Sequence, residues 1–193
     1  MSFQHNKLLL LLIVAIIGLF VASPFLHQLT VAPQSEYFTE MALLDSNHTT
    51  TLYPSNITSD KHYPLYIELT NHIGHTADYT VEVKFRDINQ SGPNSFNHTS
   101  STLPPLENYK LSADNNQTVK LPLDISFQFN TKGYVNSLTI NGKTHNISRQ
   151  LTFNTQRNNY YGNLFFELWI YNQTTNTLQY HERYLSLWLR LNT

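Results

Sequence analysis

Tyr79-Thr-Val-Glu-Val-Lys-Phe85 alternates apolar or aromatic residues with polar ones. Successive side chains of a β-strand point to opposite faces, so this period of two predicts a half-buried strand. The odd-numbered residues of the stretch would face an interior. Thr80, Glu82 and Lys84 would face the other way, towards solvent.

Similar runs recur along the chain and are separated by clusters of Asn, Asp, Gly and Pro. They extend from Tyr37 to Leu44, Tyr63 to Leu69, Tyr79 to Phe85, Thr118 to Phe127, Leu164 to Tyr171 and Leu178 to Leu189. The last two runs are joined by six polar residues, which predicts a closing hairpin. Asn141-Gly142 predicts a tight type I′ turn. Residues 37–193 are therefore expected to form one all-β domain, a two-layer antiparallel β-sandwich.

Composition excludes several classes of protein. The 193 residues carry a formal net charge of -1 and no basic cluster, so the chain lacks the positive stripe that nucleic-acid binding requires. There is no cysteine, which excludes disulfides, thiolate metal sites and a cysteine nucleophile. Aromatic residues make up 13% of the chain, and such residues favour strands.

An apolar run near the N-terminus predicts a membrane helix. It follows Lys7, is unbroken from Leu8 to Ala22, and is extended by Phe25 and Leu26. A helix from Leu8 to Leu26 would be roughly 28 Å long, close to the ~30 Å thickness of a bilayer's hydrocarbon core. The expected organisation is a cytoplasmic stub and transmembrane signal-anchor helix over residues 1–29, a linker over residues 30–36, and the sandwich beyond it.

A cleaved signal peptide is the alternative interpretation of this run. Cleavage after Ala22 would place bulky Phe20 at the −3 position, and cleavage after Ser23 would be hindered by Pro24. A retained anchor is therefore favoured. His5 and Lys7 precede the run, so the positive-inside rule predicts a single-pass protein with a cytoplasmic N-terminus and an extracytoplasmic C-terminal domain.

Seven Asn-x-Ser/Thr sequons lie beyond the apolar run, which agrees with that topology. These N-glycosylation candidates are Asn47, Asn56, Asn89, Asn97, Asn116, Asn146 and Asn172. Several lie beside turn residues, where an oligosaccharide can reach solvent. The chain is therefore expected to be a glycoprotein of the cell envelope.

Scattered blocks of the chain resemble a known family. The blocks are Tyr37-Phe-Thr-Glu-Met-Ala-Leu-Leu44, Tyr53-Pro-Ser-Asn-Ile-Thr58, Leu69-Thr-Asn-His72, Tyr79-Thr-Val-Glu-Val83, Leu164-Phe-Phe-Glu-Leu-Trp-Ile-Tyr171 and Ser186-Leu-Trp-Leu189. Together they are similar to the C-terminal domain of an archaeal membrane-protein family of unknown function, DUF1616. The resemblance implies an outward-facing, immunoglobulin-like sandwich with no known enzymatic activity.

The chain departs from the family pattern in three respects. Family members often carry several membrane helices, whereas one is expected here. Ile73 stands where the family tends to have Glu after Asn-His. Residues 87–106 and 131–155 look like insertions, and they could hold whatever is particular to this protein.

Two histidines could bind a metal. His72 and His75 are three residues apart near a predicted turn, and Asp78 could join them in a weak copper or zinc site. Turns of this kind more often carry exposed histidines that ligate nothing. No metal or other cofactor is therefore expected.

Other polar motifs do not predict catalysis. Asn141-Gly-Lys-Thr144 is similar to the end of a phosphate-binding loop, but the earlier glycine and the following helix are missing, so a hairpin turn is favoured. His181 and Glu182 are neighbours in a predicted strand and should point to opposite faces, which favours solvated edge charges. No catalytic residue is predicted.

Phe165 and Phe166 must also face opposite sides of their strand. Only one of them can lie in the space between two sheets. The pair therefore predicts that at least one ring lies under an inserted loop or at an interface. The other aromatic residues of this region could line a binding surface, although a sandwich core is the more common explanation.

The function expected from these observations is a non-catalytic, membrane-anchored extracytoplasmic binding or scaffold module. It would be an accessory subunit of a membrane complex or a component of a surface coat. Its partners would be membrane lipid, through Leu8 to Leu26, and another envelope or membrane protein. A glycan-binding surface module and a metal-supplying accessory to a membrane enzyme, through His72 and His75, are the alternatives.

Overall fold

The computed structural model describes Lys7, residues 10–18 and residues 37–192. The chain divides into two units, Met1–Glu36 and Tyr37–Thr193. In the first unit, residues 10–18 are helical and exposed. Among the described residues, no helix has the length and apolarity needed to span a bilayer. The remainder of the predicted anchor, residues 8–9 and 19–26, and the linker over residues 30–36 lie outside the described residues.

The second unit is built from strands, eleven of which lie in its described part. They are β1 (Phe38–Leu44), β2 (Asn56–Ile57), β3 (His62–His72), β4 (Ala77–Asp87), β5 (Glu107–Ala113), β6 (Thr118–Phe129), β7 (Tyr134–Ile140), β8 (Lys143–Gln150), β9 (Phe153–Asn154), β10 (Asn159–Asn172) and β11 (Thr177–Leu191). All six runs predicted from the sequence are strands.

The strands form two sheets. One has five strands in the order β1-β3-β6-β7-β8, and the other has the order β2-β11-β10-β4-β5 with β9 added to β10. Neighbouring strands are antiparallel except for the short pairing of β2 with β11. The predicted closing hairpin is β10–β11, and Asn141 and Gly142 have the two positive φ angles, 49° and 79°, of a type I′ turn. The prediction of an antiparallel β-sandwich is confirmed.

A core of alternating side chains lies between the sheets. Leu65 and Ile67 of β3, Val81 and Val83 of β4 and Phe166 of β10 are completely buried. The predicted inward face of β4 is therefore correct. Its period of two places every second residue against the opposite sheet, which buries the apolar area that stabilises the fold.

The prediction that the other face of β4 meets solvent is wrong. Thr80 is only 8% exposed and Lys84 only 2%. The connection between β4 and β5 lies over this face, and we call residues 88–106 the covering segment. Its Ser101 contacts Lys84 directly, and its Gly92 leaves no room for a Cβ against the guanidinium of Arg86.

The same covering explains the two adjacent phenylalanines. Phe166 lies in the core and Phe165 points to the outer face, yet both are completely buried. The guanidinium of Arg86 lies 5.8 Å from the centre of the Phe165 ring. One ring is thus buried outside the core, beneath Arg86, whose guanidinium in turn lies against Gly92 of the covering segment.

Candidate functional site at a bulge in the last strand

Strand β11 contains a β-bulge where it pairs with β10. Leu168 is opposite Arg183, whereas the next residue, Trp169, is opposite Tyr180. His181 and Glu182 therefore have no partner in β10, and Glu182 has a positive φ of 57°. Such a bulge bends the strand and redirects its side chains.

The bulge places His181 and Glu182 beside one pocket, which Arg183 also lines. Their side chains contact different partners, because His181 meets Thr39 of β1 and Glu182 meets His98 of the covering segment. The alternation rule applies only while the ladder is regular, and two unpaired residues break it. The sequence contains no signal of the bulge beyond three consecutive polar residues, His181 to Arg183, in the first half of β11.

The pocket, which we call the bulge pocket, has a volume of about 430 Å³. Residues 37–39 of the β1 region form one wall, and Ser95 and His98 of the covering segment form another. Ile170 and residues 179–183 complete it. A volume in this range suits a small ligand, since such sites occupy about 300–1,000 Å³.

A buried ion pair attaches the covering segment to the sandwich. Lys84 Nζ lies 2.7 Å from Glu167 Oε2, and the two side chains are 3% and 0% exposed. The backbone N–H of Ser101 donates to Glu167 Oε1 at 2.5 Å, and Lys84 donates to the Ser101 carbonyl at 3.3 Å. Glu82 adds a second carboxylate 2.9 Å from Lys84. The segment is thus held by charge-assisted hydrogen bonds in a dry environment.

A second side-chain contact joins the covering segment to the bulge. His98 Nδ1 lies 2.8 Å from Glu182 Oε2, and both side chains are more than half exposed. An exposed pair of this kind contributes little to stability. In the pocket, the carboxylate of Glu182 therefore faces His98.

A chain of hydrogen bonds runs behind the bulge pocket and links the two sheets. His181 Nε2 lies 2.8 Å from Thr39 Oγ1, which lies 3.0 Å from Tyr79 Oη. Tyr79 donates its hydroxyl proton to Asn71 Oδ1 at 3.1 Å. Asn71 is oriented because its amide nitrogen donates to the carbonyls of His75 and Ala113.

The direction of this chain assigns the tautomer of His181. Because Tyr79 donates to Asn71, Thr39 donates to Tyr79 and must accept from His181 Nε2. The Nδ1 atom of a neutral ring is then left as an acceptor. Burial lowers the pKa of His181, the positive charge of Arg183 lowers it further, and Glu182 opposes both effects. The ring is therefore neutral at pH 7.

Two polar atoms near the bulge are buried without a partner. Within the described part of the chain, neither Tyr180 Oη nor Trp169 Nε1 makes a hydrogen bond. The two rings lie 5.6 Å apart on the outer face of the sheet. Burial, followed by the charge of Glu167, raises the pKa of Tyr180 to about 12. An unsatisfied buried hydroxyl of this kind costs free energy of folding.

The two histidines considered as metal ligands lie at the end of β3 and in the turn that follows it. His72 Nδ1 is 2.9 Å from Asn116 Oδ1, and the imidazole stacks on Phe38 at 4.8 Å. His75 is exposed. The described residues include no group of three or more ligating side chains that could hold a metal.

The sequons differ in how open their side chains are. Six of the seven asparagines are exposed and Asn172 is half-buried. The amide nitrogen, to which a glycan would be attached, donates to Gln179 in Asn172 and to Thr152 in Asn89. Five other sequon asparagines are exposed: Asn47, Asn56, Asn97, Asn116 and Asn146.

The domain of unknown function DUF1616 matches residues 32–189. The chain belongs to the DUF1616 family. The resemblance to DUF1616 lies in separate blocks of the sequence, and the fold brings three of these blocks together. Thr39, Asn71 and Tyr79 each belong to a different block and are joined in one chain of hydrogen bonds. Sequence reasoning missed this convergence, although each block carries a polar residue that ends up buried.

No curated relative matches this DUF1616 chain. Among solved structures, a β-glucosidase from Listeria innocua in complex with glucose is 7% identical at a TM-score of 0.42, over 81% of this chain and 16% of that enzyme. The CARDB domain of the PF1109 protein from Pyrococcus furiosus, in complex with di-metal ions, is 7% identical at 0.37, over 84% and 96%. The PapD-like domain 7 of human CEP192 is 11% identical at 0.30, over 84% and 89%. The chain thus spans only a small part of the glucosidase, and likeness at these scores carries no argument about function.

Proposed function

We propose that this DUF1616 domain is a non-catalytic binding or scaffold module, held at the outer face of a cell membrane. It would serve as an accessory subunit of a membrane complex or as a component of a surface coat. The observation that carries the proposal is the preformed bulge pocket. Its walls are held by the buried pair of Lys84 and Glu167 and by the chain from His181 to Asn71. A site held in this way loses little conformational entropy on binding.

The geometry of the pocket also favours binding over catalysis. Thr39 Oγ1 and His181 Nε2 are at the separation of a nucleophile and its base. However, Thr39 is completely buried, and its proton is donated to Tyr79 rather than to the imidazole. The pair therefore supports a structural role in which His181 is oriented by Thr39.

We also propose the finer features of fold and location. The neighbour orders β1-β3-β6 and β11-β10-β4 correspond to the A-B-E and G-F-C orders of immunoglobulin domains, which supports an immunoglobulin-like topology. The apolar run from Leu8 to Leu26 and the exposed sequons support a single-pass glycoprotein of an archaeal-type membrane with its sandwich outside.

The test is a mild-detergent purification of the tagged full-length chain, followed by mass spectrometry of what remains bound. We expect one or a few membrane or coat proteins in fixed ratio. Arg183→Glu should release them, because it reverses the charge at the pocket. Arg157→Glu is the matched control, since Arg157 is exposed and lies over Tyr161, outside the residues that line the pocket. Retention of nothing by the native chain, or equal release by both variants, would contradict the proposal.

A glycan-binding surface module is a second candidate, favoured by another pocket of about 570 Å³. Tyr171 and Leu178 line it and are 38% and 41% exposed, and Asp78, Lys110 and Ser112 supply polar groups. Sugars pack their apolar faces on exposed rings and bond to such groups at the rim. A glycan array should show signal that is lost in Tyr171→Ala. A blank array at high protein concentration would exclude this candidate.

A further inference from the structure

The bulge pocket contains an unpaired cation. Arg183 lines the pocket and is exposed, and its guanidinium makes no hydrogen bond or ion pair with any residue in the part of the chain that the structure describes. Its guanidinium can therefore bind a carboxylate through two parallel hydrogen bonds. The one carboxylate of the pocket lining, Glu182, is already paired with His98 at 2.8 Å.

An acceptor and an apolar wall stand beside this cation. His181 presents Nδ1 as an acceptor, because its Nε2 is bound to Thr39. A ligand hydroxyl can donate to it. Tyr37, which is 69% exposed, supplies aromatic surface to the pocket lining, whereas the ring of the next residue, Phe38, packs against His72. The pocket thus offers a site for a carboxylate, a site for a hydroxyl and a surface for an apolar face.

The backbone around the pocket does not suit an extended peptide. A peptide that adds to a sheet edge needs a regular row of N–H and C=O groups. His181 and Glu182 interrupt that row because neither is in register with β10, and Glu182 has a positive φ. Recognition at the bulge therefore rests on side chains, which favours a compact ligand.

We propose that the bulge pocket binds a sugar acid of the uronic acid class, with its carboxylate on Arg183, a ring hydroxyl on His181 and its apolar face on Tyr37. A monosaccharide unit is compatible with a volume of about 430 Å³. The proposal rests on the function proposed above, because it names the chemistry that the binding module would recognise on an envelope component.

The test is a titration of the full-length chain in detergent with sodium D-glucuronate and with D-glucose, read by calorimetry. The two sugars differ only at C6, which is a carboxylate in glucuronate and a hydroxymethyl group in glucose. We expect glucuronate to bind at least about tenfold more tightly, because a charge-assisted hydrogen bond contributes on that scale. An acidic tripeptide is the third probe. Equal binding of both sugars, or binding of the peptide alone, would overturn the proposal.

Three variants assign the effect to the pocket. Arg183→Gln should abolish the preference for glucuronate, and Arg183→Lys should retain only part of it, because Lys cannot form the bidentate pair. Tyr171→Ala alters the other pocket and should leave the preference unchanged. A preference that survives in Arg183→Gln, with the circular-dichroism spectrum and melting temperature of the native chain, would refute the site.

The outcome is separable from that of the purification experiment. A retained partner that glucuronate does not displace would leave the module's function standing and refute the sugar acid. Binding of glucuronate with no retained protein would support the sugar-acid site while removing the protein-docking function.

Discussion

The outer faces of the two sheets differ in what lies over them. On the five-stranded sheet, Lys120 and Glu68 form an ion pair at 3.1 Å with side chains that are 46% and 31% exposed. On the other sheet, Lys84 and Glu167 form a pair at 2.7 Å that is almost completely buried. The strands are similar in kind, but only one sheet lies beneath the covering segment. Removing the lysine of the buried pair should therefore destabilise the fold far more than removing the lysine of the exposed pair.

The largest expected effect comes from breaking the buried pair. Lys84→Met leaves the carboxylate of Glu167 buried without its cation, and we expect a loss of about 3–5 kcal/mol in the free energy of unfolding. Urea denaturation of the full-length chain measures it. Lys120→Met is the matched control and should cost less than about 1 kcal/mol, because that pair is solvated. Similar losses in the two variants would mean that the covering segment does not shield the pair.

The next effect concerns the aromatic ring beneath the covering segment. Phe165→Ala should cost about 3 kcal/mol or more, close to the cost of Phe166→Ala in the core, since both rings are completely buried. Tyr66, which is half-buried on the outer face of the five-stranded sheet, supplies the control Tyr66→Ala. Chemical denaturation of the three variants compares the two faces. A negligible loss in Phe165→Ala would show that the outer face opens freely.

The third effect tests the hydrogen-bond chain behind the bulge pocket by pH. The pKa of His181 is lowered from its ordinary value of 6.5, so below that pH the unfolded chain binds a proton that the folded chain resists. The contribution of His181 is thus present above pH 6.5 and is lost as the pH falls through its lowered pKa. The slope for one proton is at most about 1.4 kcal/mol per pH unit.

The pH dependence is measured as the change in melting temperature between pH 7.5 and 5.5. His181→Gln should be flatter over that range, because the titrating group is gone. His75→Gln, at an exposed position, should keep the native slope. The same slope in all three proteins would exclude His181 as its source.

The smallest expected effect is that of Tyr180→Phe, which is compared with Tyr79→Phe on the opposite face of the same sheet. Tyr79 has its hydroxyl bonded to Thr39 and Asn71, whereas the hydroxyl of Tyr180 is buried without a partner in the described chain. Tyr180→Phe should therefore be neutral or stabilising by up to about 1 kcal/mol, and Tyr79→Phe should destabilise by about 1–3 kcal/mol. Thermal denaturation ranks the two. The reverse order would show that Tyr180 is the better satisfied residue.

Much of the fold could be predicted from local patterns. The six predicted runs are strands, the Asn141-Gly142 turn is type I′, and the closing hairpin is present. The candidate site was harder to predict. Regular strand alternation predicts that His181 and Glu182 point to opposite faces, and nothing local indicates that the two residues line one pocket with Arg183. Thr39, Asn71 and Tyr79 were seen only as parts of family-like blocks.

Local sequence is enough to assign the strands and the inward side of β4, because side-chain alternation is a local property of an extended backbone. The other features depend on contacts between distant parts of the chain. Lys84 and Glu167 are 83 positions apart, and the covering segment that encloses them has no periodic signal. The bulge arises from the register between β10 and β11, which depends on contacts along both whole strands. The site lies where the covering segment, the β1 region and the bulge of β11 come together, so residues that are far apart in the sequence line one pocket.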